Sequence, residues 1–500
     1  MTDAAHSQAA VAAAAPGPLP LRRSLALSFV EKYALLLLAL AGSMVLGRLL
    51  TPAETGVYSV AAVLAGLAQV LRDFGVGQYL VQEKDLTPAK LRAALCVSVG
   101  SAWTLGLLVL LAAPPLAAFY QAQQLRPVLQ LLALNFLMVP FTSLTVSMLR
   151  RQMRFASILL VNAAAACVQL ACSVWLAWRG WGSLSLACGA AAGSAAALLA
   201  SVALRPAGLP WLPHWRGAGT VLRYGGYAAG GGLIDQAGVA APDLIVGKLI
   251  GVAGAGIYGK AQSVINLFNQ AITSAVSPVA FSLYAAQARA GQDARAAYLK
   301  TISCMTALAW PFFAGLGLMA QPVVRLLYGD QWDATVPLIQ VISLGAALYS
   351  MFSMARYLFL AGGHVREQAR LDAMSVAVRI AAVLLAAPFG LDYVAWGLLA
   401  GALGRSWFTW RCLARLSGLA LGPQCAAVAR SAVLAGLSSL APLAARMALP
   451  SGPFQLLAAG AGGLLLWVAG VLWLEHELAA ELRRMQGLLA GHRWRFWKVN

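Results

Sequence analysis

Residues 47–61 read GRLLTPAETGVYSVA, and residues 247–261 read GKLIGVAGAGIYGKA. Six positions are identical without a gap: Gly47/Gly247, Leu49/Leu249, Ala53/Ala253, Gly56/Gly256, Tyr58/Tyr258 and Ala61/Ala261. Three more are conservative, Arg48/Lys248 among them. A second echo follows the same order. Arg150-Arg151-Gln152-Met153-Arg154-Phe155 pairs with Arg366-Glu367-Gln368-Ala369-Arg370-Leu371. Matches in the same order along a chain mark an internal repeat, so the fold is expected to contain two copies of one unit.

What each copy is made of follows from composition. Of 500 residues, 60% are apolar and 11% charged, and the mean hydropathy is +0.74. Soluble domains carry about 25% charged residues, and disordered chains are polar and highly charged. Both classes are excluded, leaving an integral membrane protein. A spanning helix needs about 20 mostly apolar residues. Cutting at charge clusters and Gly/Pro turns gives runs near 28–49, 57–80, 92–112, 125–146, 156–178, 183–204, 225–249, 257–281, 299–320, 334–360, 368–388, 391–413, 426–446 and 453–474. These are numbered spans 1 to 14. They lack the alternation of a membrane barrel. The first repeat copy joins spans 1 and 2, the second spans 7 and 8. The echo follows spans 4 and 10. Six intervening spans give both copies one orientation. The expected fold is all-α and integral to the membrane, with about 14 transmembrane helices. Two pseudo-symmetric six-helix bundles form parallel repeats, and two extra C-terminal helices follow. Parallel repeats of this kind suit alternating access around a site between the bundles.

Lys and Arg number 36 against 17 Asp and Glu, a net charge of +19. With the N-terminus in the cytoplasm, 24 of the basic residues fall on the cytoplasmic side and 7 on the other. That bias is the positive-inside pattern, with both termini inside, and it removes the need for a nucleic-acid partner. The expected divisions are a disordered cytoplasmic N-terminus over 1–24, an N-lobe over 25–204 and a cytoplasmic linker over 205–224. A C-lobe over 225–415, the extra spans over 416–474 and a basic amphipathic cytoplasmic tail over 475–500 complete the chain. The tail, with Leu478, Leu482, Met485 and Leu489 at helical spacing and a basic–aromatic end, reads as an interfacial helix.

Five basic residues remain within spans: Lys32, Arg72, Arg356, Arg379 and Arg405. A charge at bilayer depth costs about 2.5–3.5 kcal/mol on insertion scales, so it faces a partner or a wet cavity. Arg356 lies near enough to the surface to snorkel. Arg72, Arg379, Arg405 and Lys32 are the candidate anion-binding residues. Span 7 holds Gly225, Gly226, Gly230, Gly231, Gly232, Gly238 and Pro242, and is expected to bend or break. Its Asp235 and Asp243, with Asp73 and Glu31 elsewhere, are candidates for coupling to H⁺ or Na⁺. No other cofactor is expected.

Chemistry has no sequence support. The seven cysteines are odd in number and lack a CxxC, which argues against a disulfide framework or a zinc site. Gly254-Ala255-Gly256-Ile257-Tyr258-Gly259 fits a nucleotide-binding GxGxxG only formally, because no strand precedes it. There is no Walker A sequence, GxSxG elbow or HExxH pair, and no loop large enough to host catalysis. An enzyme is not expected.

The run RLLTPAETGVYSVAAVLAGLAQVLRDFGVG, the loop RRQMRF and the stretch DLIVGKLIGVAGAGIYGKAQ resemble the polysaccharide-transport family. That family belongs to the multidrug/oligosaccharidyl-lipid/polysaccharide exporter superfamily, and the resemblance covers about residues 25–415 in order. It implies a bacterial inner-membrane flippase that carries undecaprenyl-diphosphate-linked oligosaccharide repeat units for lipopolysaccharide or exopolysaccharide synthesis. It further implies two lobes around a cationic cavity, with the bilayer, a lipid-linked oligosaccharide, a glycan polymerase and glycosyltransferases as partners. Asp243 matches the acidic or amide position before the GK-L-G turn, and Arg72-Asp73-Phe74-Gly75 the span 2 motif. The competing expectations are an ion-coupled multidrug exporter of the same superfamily and a membrane-embedded glycan polymerase or ligase. A cation exporter should favour acidic cavity residues, and a polymerase or ligase needs an outer catalytic loop.

Overall fold

The computed structural model describes residues 21–73, 75–83, 86–215 and 218–479, with side chains from 31 onward except at 73, 78, 82 and 220–235. The expected tails before 21 and from 480 lie outside these residues. Among them every regular element is helical. In chain order the helices are α1 Leu21–Leu49, α2 Pro52–Asp73, α3 Val76–Gln82, α4 Pro88–Phe119, α5 Leu125–Arg151, α6 Phe155–Trp178 and α7 Ser183–Ala203. Then come α8 Ala218–Leu249, α9 Val252–Phe268, α10 Ser274–Arg289, α11 Arg295–Leu318, α12 Ala320–Leu327, α13 Val336–Ser350 and α14 Ala355–Ala361. The last four are α15 Val365–Ala386, α16 Leu391–Ser417, α17 Leu421–Ala448 and α18 Pro453–Trp473.

Among the described residues, 12 helices are long and apolar enough to cross a membrane. Two further long helices, α8 and α16, coincide with spans 7 and 12, so a helix stands at each of the fourteen apolar runs. Span 2 divides at Gly75, whose φ of 61° places it in the left-handed region, where glycine has no Cβ penalty. The glycine-rich span 7 does not break: α8 is helical from 218 to 249 with Pro242 inside it. A chain in hydrocarbon must satisfy its backbone internally, which outweighs glycine's poor helix propensity.

The chain forms two compact units. The first comprises residues 1–42, 65–115 and 126–233. Its helices approach closely through small residues: a Cβ on Gly193 of α7 would lie 2.8 Å from Gln169 Cβ of α6. Short α3 ends on a guanidinium, with Arg151 of α5 donating to Leu80 O at 3.1 Å and also to Glu83 O. Val76, Leu80, Leu95 and Leu144 form a buried cluster around it.

The second unit comprises residues 43–64, 116–125 and 234–500, and both repeat copies meet inside it. The copies turn by different chemistry. In the first, Thr51 and Glu54 form a capping box, with Thr51 N–H donating to Glu54 Oε2 at 2.9 Å and Glu54 N–H to Thr51 Oγ1 at 3.3 Å. In the second, Gly251 turns at φ 105°. The conservative pair Arg48/Lys248 acts reciprocally. Arg48 donates to Leu326 O at 2.7 Å, in the connection between spans 9 and 10. Lys248 donates to Phe119 O at 2.5 Å, in the connection between spans 3 and 4. Trp332, fully buried, donates from its indole to Gly47 O at 2.7 Å. Lys260 donates to Ser43 Oγ at 3.2 Å and lies 4.5 Å from the Tyr328 ring centroid.

The two additional C-terminal helices pack on α11. Trp467 of α18 donates to Ala307 O at 2.8 Å. Beside it, buried Ser303, Thr306, Ser431 and His476 form one hydrogen-bonded group. The seven cysteines are all free thiols.

Candidate functional site

Within the second unit, three charged side chains from α14, α15 and α16 converge. Asp372 sits two turns into α15, its side chain 13% exposed. Arg356 Nη1 approaches it at 3.3 Å and Arg405 Nη2 at 3.7 Å. Gln368, one turn earlier on α15, donates to Asp372 Oδ2 at 2.9 Å, the i,i+4 relation that brings helical neighbours together. The Arg405 guanidinium lies 4.3 Å from the Tyr349 ring centroid, within cation–π reach. Its Nε is buried without a protein partner. Two guanidiniums thus share the Asp372 carboxylate.

Local sequence explains the convergence. Tight turns separate α13 from α14, with Phe352 N–H donating to Tyr349 O at 2.9 Å and Ala355 N–H to Phe352 O at 3.1 Å. After that break Arg356 stands at the start of α14, half-exposed, with Nη1 3.3 Å from Asp372. Arg379 follows Asp372 by seven residues, two turns along the same face of α15. Gly401 on α16 allows close approach: a Cβ there would lie 3.5 Å from Arg379 Cα. Arg405 is one turn beyond Gly401. On α8, Gly238 leaves room for the Arg379 guanidinium, since a Cβ there would lie 3.2 Å from Arg379 Nη2. Asp243, also on α8, faces the middle of α9, with its Oδ1 3.8 Å from where a Gly259 Cβ would stand. Tyr258 lies within electrostatic reach of both Asp243 and Arg379.

The other sequence candidates are placed as follows. Glu31 and Arg72 belong to the first unit, where Asn162 Nδ2 donates to Glu31 Oε1 at 2.7 Å. The Arg72 guanidinium carbon lies 5.8 Å from the Phe136 ring centroid. Lys32, in the same unit, has its Nζ 6.0 Å from the Tyr33 ring centroid. The side chains of Asp73 and Asp235 lie outside the described residues. Among the described residues, no three His, Cys, Asp or Glu side chains are grouped to hold a metal ion.

Two features escape a reading based on charge within spans. Asp372 is one, because a single carboxylate near a span end looks interfacial until the helices bring Arg356 and Arg405 to it. The signal was its seven-residue spacing to Arg379. The other is the uncharged polar series Gln262, Asn266, Asn269 and Thr273 in span 8. Its signal was the 4, 3, 4 spacing, which keeps all four on one helix face.

An apolar groove of about 540 Å³ opens among α9, α11, α12, α17 and α18, lined by Leu267, Phe312, Met319, Leu456, Leu464 and Trp467.

Comparison with known proteins gives a consistent picture. A family model described as polysaccharide biosynthesis protein matches residues 45–337. The teichuronic acid biosynthesis protein TuaB of Bacillus subtilis is 22% identical over 331 residues, covering 64% of this chain and 66% of that protein. The lipopolysaccharide biosynthesis protein WzxC of Escherichia coli is 22% identical over 370 residues, 73% of each. The succinoglycan biosynthesis transport protein ExoT of Rhizobium meliloti is 22% identical over 312 residues, 61% of this chain and 62% of that one. The chain thus spans just under two thirds of TuaB and of ExoT. Among solved structures, the lipid II flippase MurJ in an inward closed conformation superposes with a TM-score of 0.75 at 12% identity, covering 91% of this chain and 99% of that one. An inward-facing multidrug resistance MATE family transporter gives 0.60 at 14% identity, covering 77% and 96%. These likenesses establish the fold as that of MurJ and MATE transporters.

Proposed function

Because the chain belongs to the polysaccharide biosynthesis protein family, we propose that it is a flippase for undecaprenyl-diphosphate-linked oligosaccharide repeat units. It carries them across the bacterial inner membrane by alternating access, with both termini in the cytoplasm. The observation that carries this reading is the cluster of Arg356 and Arg405 on Asp372, with Arg379 two turns along the same helix face. A diphosphate crossing hydrocarbon needs charge-assisted partners, because unpaired polar groups there cost several kcal/mol each. Arginine supplies them in a planar fork that engages two phosphate oxygens together. An arriving anion can take Asp372's place on Arg405, whose Nη2 lies 3.7 Å from that carboxylate and whose Nε is buried without a protein partner.

Lys32 and Arg72, in the first unit, are that unit's own candidates for binding the anionic cargo. Asp243 is the described candidate for a coupling H⁺ or Na⁺, followed by Glu31, with Asp73 and Asp235 retained from the sequence. The polyprenyl tail stays in hydrocarbon, and the groove beside Phe312 and Trp467 is an apolar surface on which it can lie. An exporter of organic cations is disfavoured by the gathering of Arg356, Arg379 and Arg405 on neighbouring helices, which suits an anion. No step in this reading makes or breaks a covalent bond in the cargo. The glycosyltransferases that build the repeat unit and the polymerase that consumes it are the expected partners.

The test is a deletion of the gene in its own bacterium. Lipid-linked repeat units should accumulate on the cytoplasmic leaflet and return to normal with the wild-type chain. Unchanged surface polysaccharide with no accumulated intermediate contradicts the assignment.

A further inference from the structure

Span 8 is made of α9, one π-helical turn at Asn269–Thr273, and α10. A ladder of uncharged polar side chains runs along it. The Tyr258 hydroxyl donates to Gln262 Oε1 at 3.5 Å, and Gln262 Nε2 donates to Asn266 Oδ1 at 3.2 Å. After the helix widens, the Thr273 hydroxyl donates to Asn269 Oδ1 at 3.2 Å. Asn269 and Gln270, at the start of the π turn, are exposed.

Three physical points constrain what this ladder does. An exposed amide at membrane depth does not face acyl chains, because its unpaired donors and acceptors are too costly there. Asn269 and Gln270 therefore face water or a polar ligand. The repeat also provides an internal control. Where the second copy has Gln262 and Asn266, the first has Ala62 and Gly66. The shared architecture thus does not require amides at those positions, although Gln69 stands at the place of Asn269. Finally, a single π turn inside an α-helix is costly and concentrates at functional sites.

We infer that the Gln262–Asn266–Asn269–Gln270 edge of span 8 is a glycan-binding strip that holds the sugar hydroxyls of the lipid-linked oligosaccharide. This inference rests on the flippase reading and names the groups that contact the oligosaccharide. The chemistry favours a neutral, hydroxyl-rich ligand over an anion. Each planar amide presents one acceptor and two donors, which match neighbouring hydroxyls of a sugar ring. The strip carries no charge, whereas the guanidiniums are on α14, α15 and α16. One set reads the sugar and the other holds the diphosphate. Sites that hydrogen-bond a ligand discriminate strongly, because a wrong ligand leaves buried polar groups unpaired.

Binding to the full-length protein in phosphatidylethanolamine–phosphatidylglycerol nanodiscs tests the assignment with two probes. One is bare undecaprenyl diphosphate. The other is the lipid-linked oligosaccharide extracted from the encoding strain. The wild type should bind the glycan-bearing lipid about tenfold more tightly or better, the worth of one or two net hydrogen bonds. Asn269→Ala/Gln270→Ala, which alters exposed side chains, and the near-isosteric Gln262→Leu/Asn266→Leu should each abolish that preference and leave binding of the bare lipid unchanged. Melting temperature and monodispersity check that both variants fold. Retention of the wild-type preference by both variants overturns the strip, as does equal loss for the two probes. Equal wild-type affinity for the two lipids overturns the strip and leaves the flippase reading standing. Wild-type binding to neither lipid overturns the flippase reading, and the strip falls with it.

Discussion

Gly56 and Gly256, equivalent positions of the internal repeat, cross backbone to backbone. A Cβ on Gly256 would lie 2.9 Å from Gly56 N, and one on Gly56 would lie 3.0 Å from Gly256 N. The same two Cβ atoms would overlap the carbonyl oxygens of Pro52 and Val252 respectively, themselves a repeat pair. The contact is thus reciprocal, as a pseudo-two-fold relation requires. Backbone lies opposite each position, so no side-chain rotation can relieve an added methyl group.

Gly56→Ala and Gly256→Ala should each destabilise the protein by about 1–3 kcal/mol or more, the usual cost of overpacking. The two effects should be similar in size. Gly100→Ala, where an added Cβ meets nothing within 4 Å, should be close to neutral or slightly stabilising. Thermal melting of detergent-purified protein measures all three. A neutral Gly256→Ala would contradict the close crossing.

Asp372 holds two guanidiniums, so its removal leaves positive charges facing one another at partial burial. Asp372→Ala should cost about 1–3 kcal/mol, below the 3–5 kcal/mol of a fully buried pair because the site is partly open. Adding Arg405→Ala should recover part of the loss. A double-mutant cycle by chemical or thermal unfolding reads this coupling. Strict additivity of the two substitutions would contradict the Arg405–Asp372 pairing.

His476 lies just past α18 and is 1% exposed. Leu478 N–H donates to its Nδ1 at 3.1 Å, so the ring proton sits on Nε2, which faces Ser431 Oγ at 3.1 Å. Burial, followed by the positive charge of Arg430, lowers the histidine pKa. A base whose folded pKa is lowered binds fewer protons folded than unfolded. Its contribution to stability is full above the unfolded value of about 6.5 and is lost as pH falls through the lower folded value. Melting temperature should drop between pH 7.5 and pH 5, and His476→Gln should flatten that drop. An identical pH profile for the variant would contradict this.

The repeat, the fourteen helices and the closeness of the two copies to one pattern are legible in the sequence because hydrocarbon imposes a simple rule. Each crossing must be long, apolar and helical. Arg48 and Lys248 read as a conservative pair, yet their reciprocal bonds to Leu326 and Phe119 depend on connections far away in sequence. Arg379 and Arg405 stand out as charges within apolar runs. Asp372 does not, because its partners are supplied by α14 and α16. The amides of span 8 carry no charge and hardly disturb the apolar run, so a search for charges passes over them. The continuity of α8 was also missed, since glycine counts in water misjudge a helix that has no solvent to bond with.

The most direct test concerns the arginines themselves. In cells lacking the chromosomal gene, Arg379→Ala/Arg405→Ala should reach wild-type levels in the membrane and should fail to support surface polysaccharide. Lipid-linked repeat units should build up on the cytoplasmic leaflet as they do without the protein. Normal surface polysaccharide from the double variant, with no accumulated intermediate, would contradict a guanidinium-held diphosphate.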